Sequence, residues 1–255
     1  MAGRLLCHVL LCETADGLVL VDSGFGLADV ENPKARLGGI LRHSLGAVLS
    51  EDETARRQIE RMGFAVADVR HIVVTHFDAD HIGGIADFPA ATVHTTRAEF
   101  GAAAHPSSMR ERIRFRAPQW AFGPTMELYD GPGESLLRFP TAYPLRGVAA
   151  NIFLVPLPGH TRGHAAVAVD LGGEGWLVHA GDAFYHHNTL ERAAVPSSRE
   201  ARFLGILERS IAVDRSLVRQ NHRTLRDLAG DRSLRARVFN AHDRTLFEQF
   251  AGSGG

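Results

Sequence analysis

Cysteine is scarce: this chain has two, Cys7 and Cys12, in 255 residues. That excludes a disulfide-stapled scaffold, and with no Cys-x-x-Cys pair it argues against zinc held by thiolates. Five positions apart in a predicted strand, the two point to opposite faces and cannot pair with each other there. Both read as packing residues in a reducing compartment. An excess of one charge is also missing. The formal net charge is -1, so neither nucleic acid nor an anionic membrane has an electrostatic basis as the main partner. No apolar run approaches a membrane span. The opening MAGRLLCHVLLCET runs straight into ETADGLVLVDSG with no small-residue cleavage site, so it reads as folded structure rather than a signal peptide, and the expected location is cytoplasmic. With 45% apolar and 22% charged residues and no repeat or linker, residues 1–255 are expected to form a single α/β domain.

Turn residues divide the chain. RLLCHVLLCET and GLVLVDSG read as two strands joined by Ala-Asp-Gly. Ser50 and Glu53 predict a capping box for the helix DETARRQIERM, ended by Gly63. HIVVT and ATVHTT read as strands and TRAEFGAAA as a helix. From 104 to 150, Pro and aromatics loosen the pattern, which fits a lid or insertion or an irregular β region. NIFLVPLPG, HAAVAVDLGG and GWLVHAGD are strand-like. REARFLGILERSIAVD carries a helical stripe of Phe203, Leu204, Leu207 and Ile211. NHRTLRDLAG is a shorter helix, RVFNAH a last strand, RTLFEQF a last helix, and GSGG a flexible tail.

What the chain does have is histidine, fourteen in all, unevenly placed. Four predicted strands end in loops bearing imidazole or carboxylate. THFDADH supplies His76, Asp78, Asp80 and His81; PGHTRGH supplies His160 and His164; HAGD supplies Asp182; NAHD supplies His242 and Asp243. Strand-end loops can converge on one pocket, and imidazole with carboxylate suits zinc, iron or manganese. Alternation puts residues 76, 78 and 80 on one side of an extended loop, with His81 turned away. Without a metal, such close carboxylates would repel each other.

In this order, these motifs resemble those of the metallo-β-lactamase-fold hydrolases along nearly the whole chain. The resemblance implies a four-layer αββα sandwich, two sheets back to back with helices outside. It implies that Asp22 in LVDSGFG supports the metal loops. It further implies that His76, Asp78 and His160 hold one metal, that Asp80, His81 and His242 hold a second, and that Asp182 bridges both. Asp78 stands where the family usually has His. It could ligate through its shorter arm, favour iron or manganese over zinc, or mark a weak first site. Charge counting favours ligation: two divalent ions against Asp78, Asp80, Asp182 and one hydroxide sum to zero.

Two divalent metals, zinc by family habit, would acidify a bound water and polarise a carbonyl, which suits opening a lactone or cleaving a related carboxylic ester. No Gly-x-Ser-x-Gly elbow is present. Asp80 and Tyr185 are the candidate catalytic residues. Tyr185, three positions after Asp182 in GDAFY, resembles the tyrosine of the N-acyl-homoserine lactonase branch that contacts the substrate carbonyl. His164 reads as a loop brace, His179 as core, and His186 and His187 as exposed or pocket-lining. The expected partner is a small-molecule substrate, and a homodimer fits a chain of this size. Two rival readings are a diiron redox enzyme with a flavodiiron-like core and a binding protein whose metal site has decayed.

Overall fold

The computed structural model of the protein describes residues 5–39, 46–148, 151–191 and 198–251. The GSGG tail lies outside them. The chain gathers into two compact units. One is Val9–Asp130 with Arg146–Ala150; the other is Met1–His8, Gly131–Leu145 and Asn151–Gly255.

The Val9–Asp130 unit carries a five-stranded sheet in sequence order. β1 (Leu10–Thr14) and β2 (Gly17–Val21) form the expected hairpin, antiparallel in register from Leu10 opposite Val21 to Thr14 opposite Gly17. Two short helices follow, α1 (Leu27–Glu31) and α2 (Pro33–Leu37). The next helix departs from expectation. Ser50 makes no side-chain cap. Instead Glu51–Glu53 form a 3₁₀ turn, and the hydroxyl of Thr54 caps α3 (Ala55–Arg61) by accepting from the amide of Arg57. Gly63 ends the helix region at φ 92°, where a side chain would be strained.

β3 (Val69–Val73) leads to α4 (Ala79–Ile82), a single helical turn. β4 (Thr92–Thr96) then feeds α5 (Arg97–Ala104), capped by Thr96. α6 (Met109–Arg114) and β5 (Met126–Tyr129) complete the unit, and β2 through β5 pair in parallel. Leu20, Ile72, Val74, Phe77 and Ile82 are fully buried in one apolar cluster. Cys12 sits in β1, where burial pushes its thiol up to about 11. Cys7 lies exposed ahead of the strand rather than packing within it.

The second sheet has six strands: β6 (Glu134–Leu136), β7 (Phe139–Pro144), β8 (Ile152–Pro156), β9 (Ala165–Asp170), β10 (Trp176–His179) and β11 (Ala236–Phe239). Their spatial order is β11-β10-β9-β8-β7-β6. β10 and β11 run parallel and the other pairs antiparallel. Within the loose 104–150 segment, the described residues hold α6, β5, β6, β7 and their turns.

α7 (Arg199–Ile211) buries Ala201, Leu204 and Glu208. Its period is as predicted, but Phe203 is 50% exposed, because the buried stripe runs one position to the side. α8 (Arg215–Gly230) is longer than the predicted helix. The carboxylate of Asp214 accepts from the amides of Ser216 and Leu217 and starts it well before Asn221. α9 (Arg244–Ala251) follows β11. Among the described residues no helix is long and apolar enough to cross a membrane.

Two buried groups in the first unit set opposite pH dependences. His94 hydrogen-bonds through Nε2 to Nδ1 of His71 and through Nδ1 to the Tyr129 hydroxyl, each at 2.9 Å. Burial first, then the charges of His71 and Arg146, pulls it down to about 4. The unfolded chain takes up a proton there near 6.5 and the folded chain does not, so stability is lost as pH falls from about 6.5 to 4. Burial raises Asp87 to about 6, and its contribution is lost as pH rises from about 4 to 6. We predict that His94→Gln loses less stability than the parent between pH 7.5 and 5, by about 1–2 kcal/mol, in urea unfolding at the two pH values.

Candidate functional site

Within the first unit, the loop after β3 is held from beneath by Asp22. Its φ of 55° is a left-handed conformation that aspartate tolerates better than most residues. The 1%-exposed carboxylate accepts from the Thr75 amide at 2.8 Å, from the Thr75 hydroxyl at 2.8 Å and from Nδ1 of His81 at 2.8 Å. His76 Nδ1 lies 3.0 Å from Oγ1 of Thr75. A consistent proton assignment runs from His76 through Thr75 to Asp22, and from His81 to Asp22. Both rings then present an unprotonated Nε2, the form a metal takes.

Asp78 itself is extended, but 79–82 turn helical with Asp78 at the N-cap. His81 is therefore not turned away. Its ring lies 4.0 Å from that of His76, centroid to centroid. Nε2 of His76 is 3.2 Å from Oδ2 of Asp78, and Nε2 of His81 is 3.9 Å from Oδ2 of Asp80. The Gly-Gly pair after the motif answers a packing need: a Cβ on Gly83 would fall 2.0 Å from Oδ2 of Asp29, and one on Gly84 would fall 2.5 Å from the carbonyl of Ser23.

Other braces carry no motif. Glu99, fully buried, accepts from the Phe77 amide at 2.9 Å. Gln119 donates to the carbonyl of Ala79 at 3.0 Å, and Arg36 to that of Gly83 at 3.0 Å. Arg114 closes on Asp78, Nε on Oδ1 and Nη2 on Oδ2, the latter at 2.6 Å. Sequence spacing gives no signal for any of the four.

The second unit presents its own set around Asp182, which is 2% exposed. His164 is the loop brace expected of it: Nδ1 meets the carbonyl of Leu157 at 3.0 Å, and Nε2 accepts the Asp182 amide at 3.0 Å. Nε2 of His160 is 3.3 Å and Nε2 of His242 3.1 Å from Oδ2 of Asp182. The Tyr185 hydroxyl donates to the same oxygen at 2.6 Å. The other ring nitrogen of His242, Nδ1, meets the carbonyl of Leu6 at 2.5 Å. Glu208 of α7 accepts from the Tyr185 amide at 3.1 Å and lies 3.1 Å from Nε2 of His222.

Asp243 does not join Asp182. It holds the amide of His187 at 2.5 Å and its Nδ1 at 2.9 Å. His187 is thereby tied down rather than exposed, while His186 lines a cavity of about 180 Å³ with Leu5, Glu200, Leu204 and His242. His179 is fully buried in the core, as expected.

The donors fit divalent metal ions. They are buried or half-buried imidazoles and carboxylates, and three of the rings have Nδ1 engaged so that Nε2 can coordinate. The profile of the metallo-beta-lactamase superfamily matches residues 2–233. The chain belongs to that superfamily. A probable metallo-hydrolase of Mycobacterium bovis is 48% identical over 245 residues, covering 96% of this chain and 76% of that protein. An N-acyl homoserine lactonase of Rhizobium johnstonii is 29% identical over 243 residues, 92% of this chain and 81% of that one. The structure of an N-acyl homoserine lactone hydrolase with N-hexanoyl-L-homoserine at its catalytic metal center aligns with a TM-score of 0.66 at 22% identity, over 96% of this chain and 84% of that one. The metallo-β-lactamase fold expected from the motifs is therefore the fold of this chain.

Proposed function

We propose that this superfamily member is a dinuclear metal-dependent hydrolase that opens a lactone or cleaves a related carboxylic ester. In this reading His76, Asp78 and His160 hold one divalent ion; Asp80, His81 and His242 hold a second; Asp182 serves both. Zinc is the first expectation, with iron or manganese the alternative because Asp78 offers a hard oxygen. Such ions would supply Lewis acidity and an activated water.

The observation that carries the reading is the convergence on Asp182. Two imidazoles and a phenol meet one buried carboxylate whose backbone is pinned by His164. The chain's residues have separable tasks. Asp22 and Thr75 fix the tautomers of His76 and His81. The Tyr185 hydroxyl, 2.6 Å from Oδ2 of Asp182, is a donor that can turn to an oxyanion forming beside that carboxylate. The cavity beside His242 offers room for a non-reacting part of a small substrate.

The test is elemental analysis of the purified protein alongside a panel of lactones, esters and thioesters. Metal with lactone or ester turnover supports the proposal; stoichiometric iron with oxygen consumption and no hydrolysis overturns it. Tyr185→Phe is expected to lower kcat about tenfold or more with metal content unchanged, measured by steady-state kinetics and metal analysis. A variant with unaltered kcat would leave Tyr185 a packing residue.

A further inference from the structure

Arg114 is the last residue of α6, in a segment whose sequence carries no motif. Its guanidinium nevertheless grips both oxygens of Asp78. The pair is shielded, with Asp78 17% and Arg114 11% exposed in their side chains, so the attraction is little screened by solvent. Nε2 of His76 lies 3.2 Å from Oδ2 of Asp78, the oxygen that Nη2 of Arg114 also holds. The carboxylate therefore meets both a permanent cation and an imidazole assigned to metal. A neutral histidine at position 78 would need no such counter-charge. The charge sum of zero for the metal-loaded group omits Arg114; with it the sum is +1.

We propose that Arg114 is a positioning residue and counter-cation for the first metal position: its planar fork orients Asp78 and competes with the metal ion for that carboxylate, so it sets the affinity of the first ion. This rests on the reading of Asp78 as a ligand. Two features make Arg suited to the task. Its charge cannot be titrated away in the working range, and its fork fixes the carboxylate plane in a way a lysine cannot. Competition and simple repulsion between guanidinium and metal act with the same sign. Removing the guanidinium should therefore tighten binding.

The experiment titrates zinc into the full-length protein, stripped of metal, in competition with a chromophoric chelator that resolves the equivalents. Arg114→Met is expected to raise the affinity of the weaker equivalent about tenfold, and Arg114→Lys, keeping charge but not the fork, about threefold. In the Asp78→Asn background the Arg114→Met gain should shrink to about twofold or less, because the shared carboxylate carries the coupling. Weaker or unchanged zinc binding in Arg114→Met overturns the inference, and should that variant not fold, the same result in Arg114→Lys does so. Asp78→Asn alone separates the two levels. If it weakens one equivalent while Arg114→Met changes nothing, only the role of Arg114 fails. If it leaves both equivalents unchanged, Asp78 is no ligand and the metal assignment at that position fails with it.

Discussion

Asp182→Ala is expected to abolish binding of both metal ions and to cut hydrolysis about a thousandfold or more, some 4 kcal/mol of barrier at about 1.4 kcal/mol per tenfold. The reason lies in how much meets at one side chain. His160, His242 and Tyr185 all approach its carboxylate within 3.3 Å. Removing it deprives each proposed ion of a ligand at once. Truncating any one imidazole takes a ligand from one ion only, so the single histidine variants should retain one metal equivalent. Metal content by elemental analysis, with far-ultraviolet circular dichroism as a folding control, checks the result. A folded Asp182→Ala protein that keeps both ions would remove the shared-ligand assignment.

The second large effect falls on stability. Asp22→Ala is expected to lower the unfolding free energy by about 3 kcal/mol or more and to weaken metal binding as well. Three hydrogen bonds end on that carboxylate, two from Thr75 and one from His81, all at 2.8 Å. Without it the Thr75 amide and the His81 ring are buried with a donor unmet, and alanine gains little relief at φ 55° because its Cβ is also strained there. Urea denaturation of the metal-free protein isolates the structural part. A loss below about 1 kcal/mol would mean that the loop is held by Glu99 and Gln119 instead.

The candidate ligand types were legible because ligands are chosen by chemistry: two histidines and two aspartates crowded into HFDADH are the residue types a divalent ion would take. The strands were legible because β-branched and apolar runs bounded by Gly or Pro leave little alternative, as in β3 and β9. Local geometry inside the motif was not. Alternation assumed an extended chain, whereas Asp78 opens a helical turn and brings His81 against His76. The start of α3 was misplaced because Ser50 and Thr54 are both N-cap residue types, and only the fold decides between them. Glu99, Arg114, Gln119 and Glu208 act across 22 to 40 positions of sequence, where spacing holds no information. A single charged or polar side chain from a distant helix is invisible until tertiary structure delivers it. The charge sum made from motifs alone was incomplete for that reason.

Elemental analysis of the freshly purified, unmutated chain tests the central claim most directly. The account predicts about two divalent ions per chain, removed by a chelator together with hydrolytic activity and restored together on adding metal back. Hydrolysis that persists at full rate in chain stripped of all metal would contradict it.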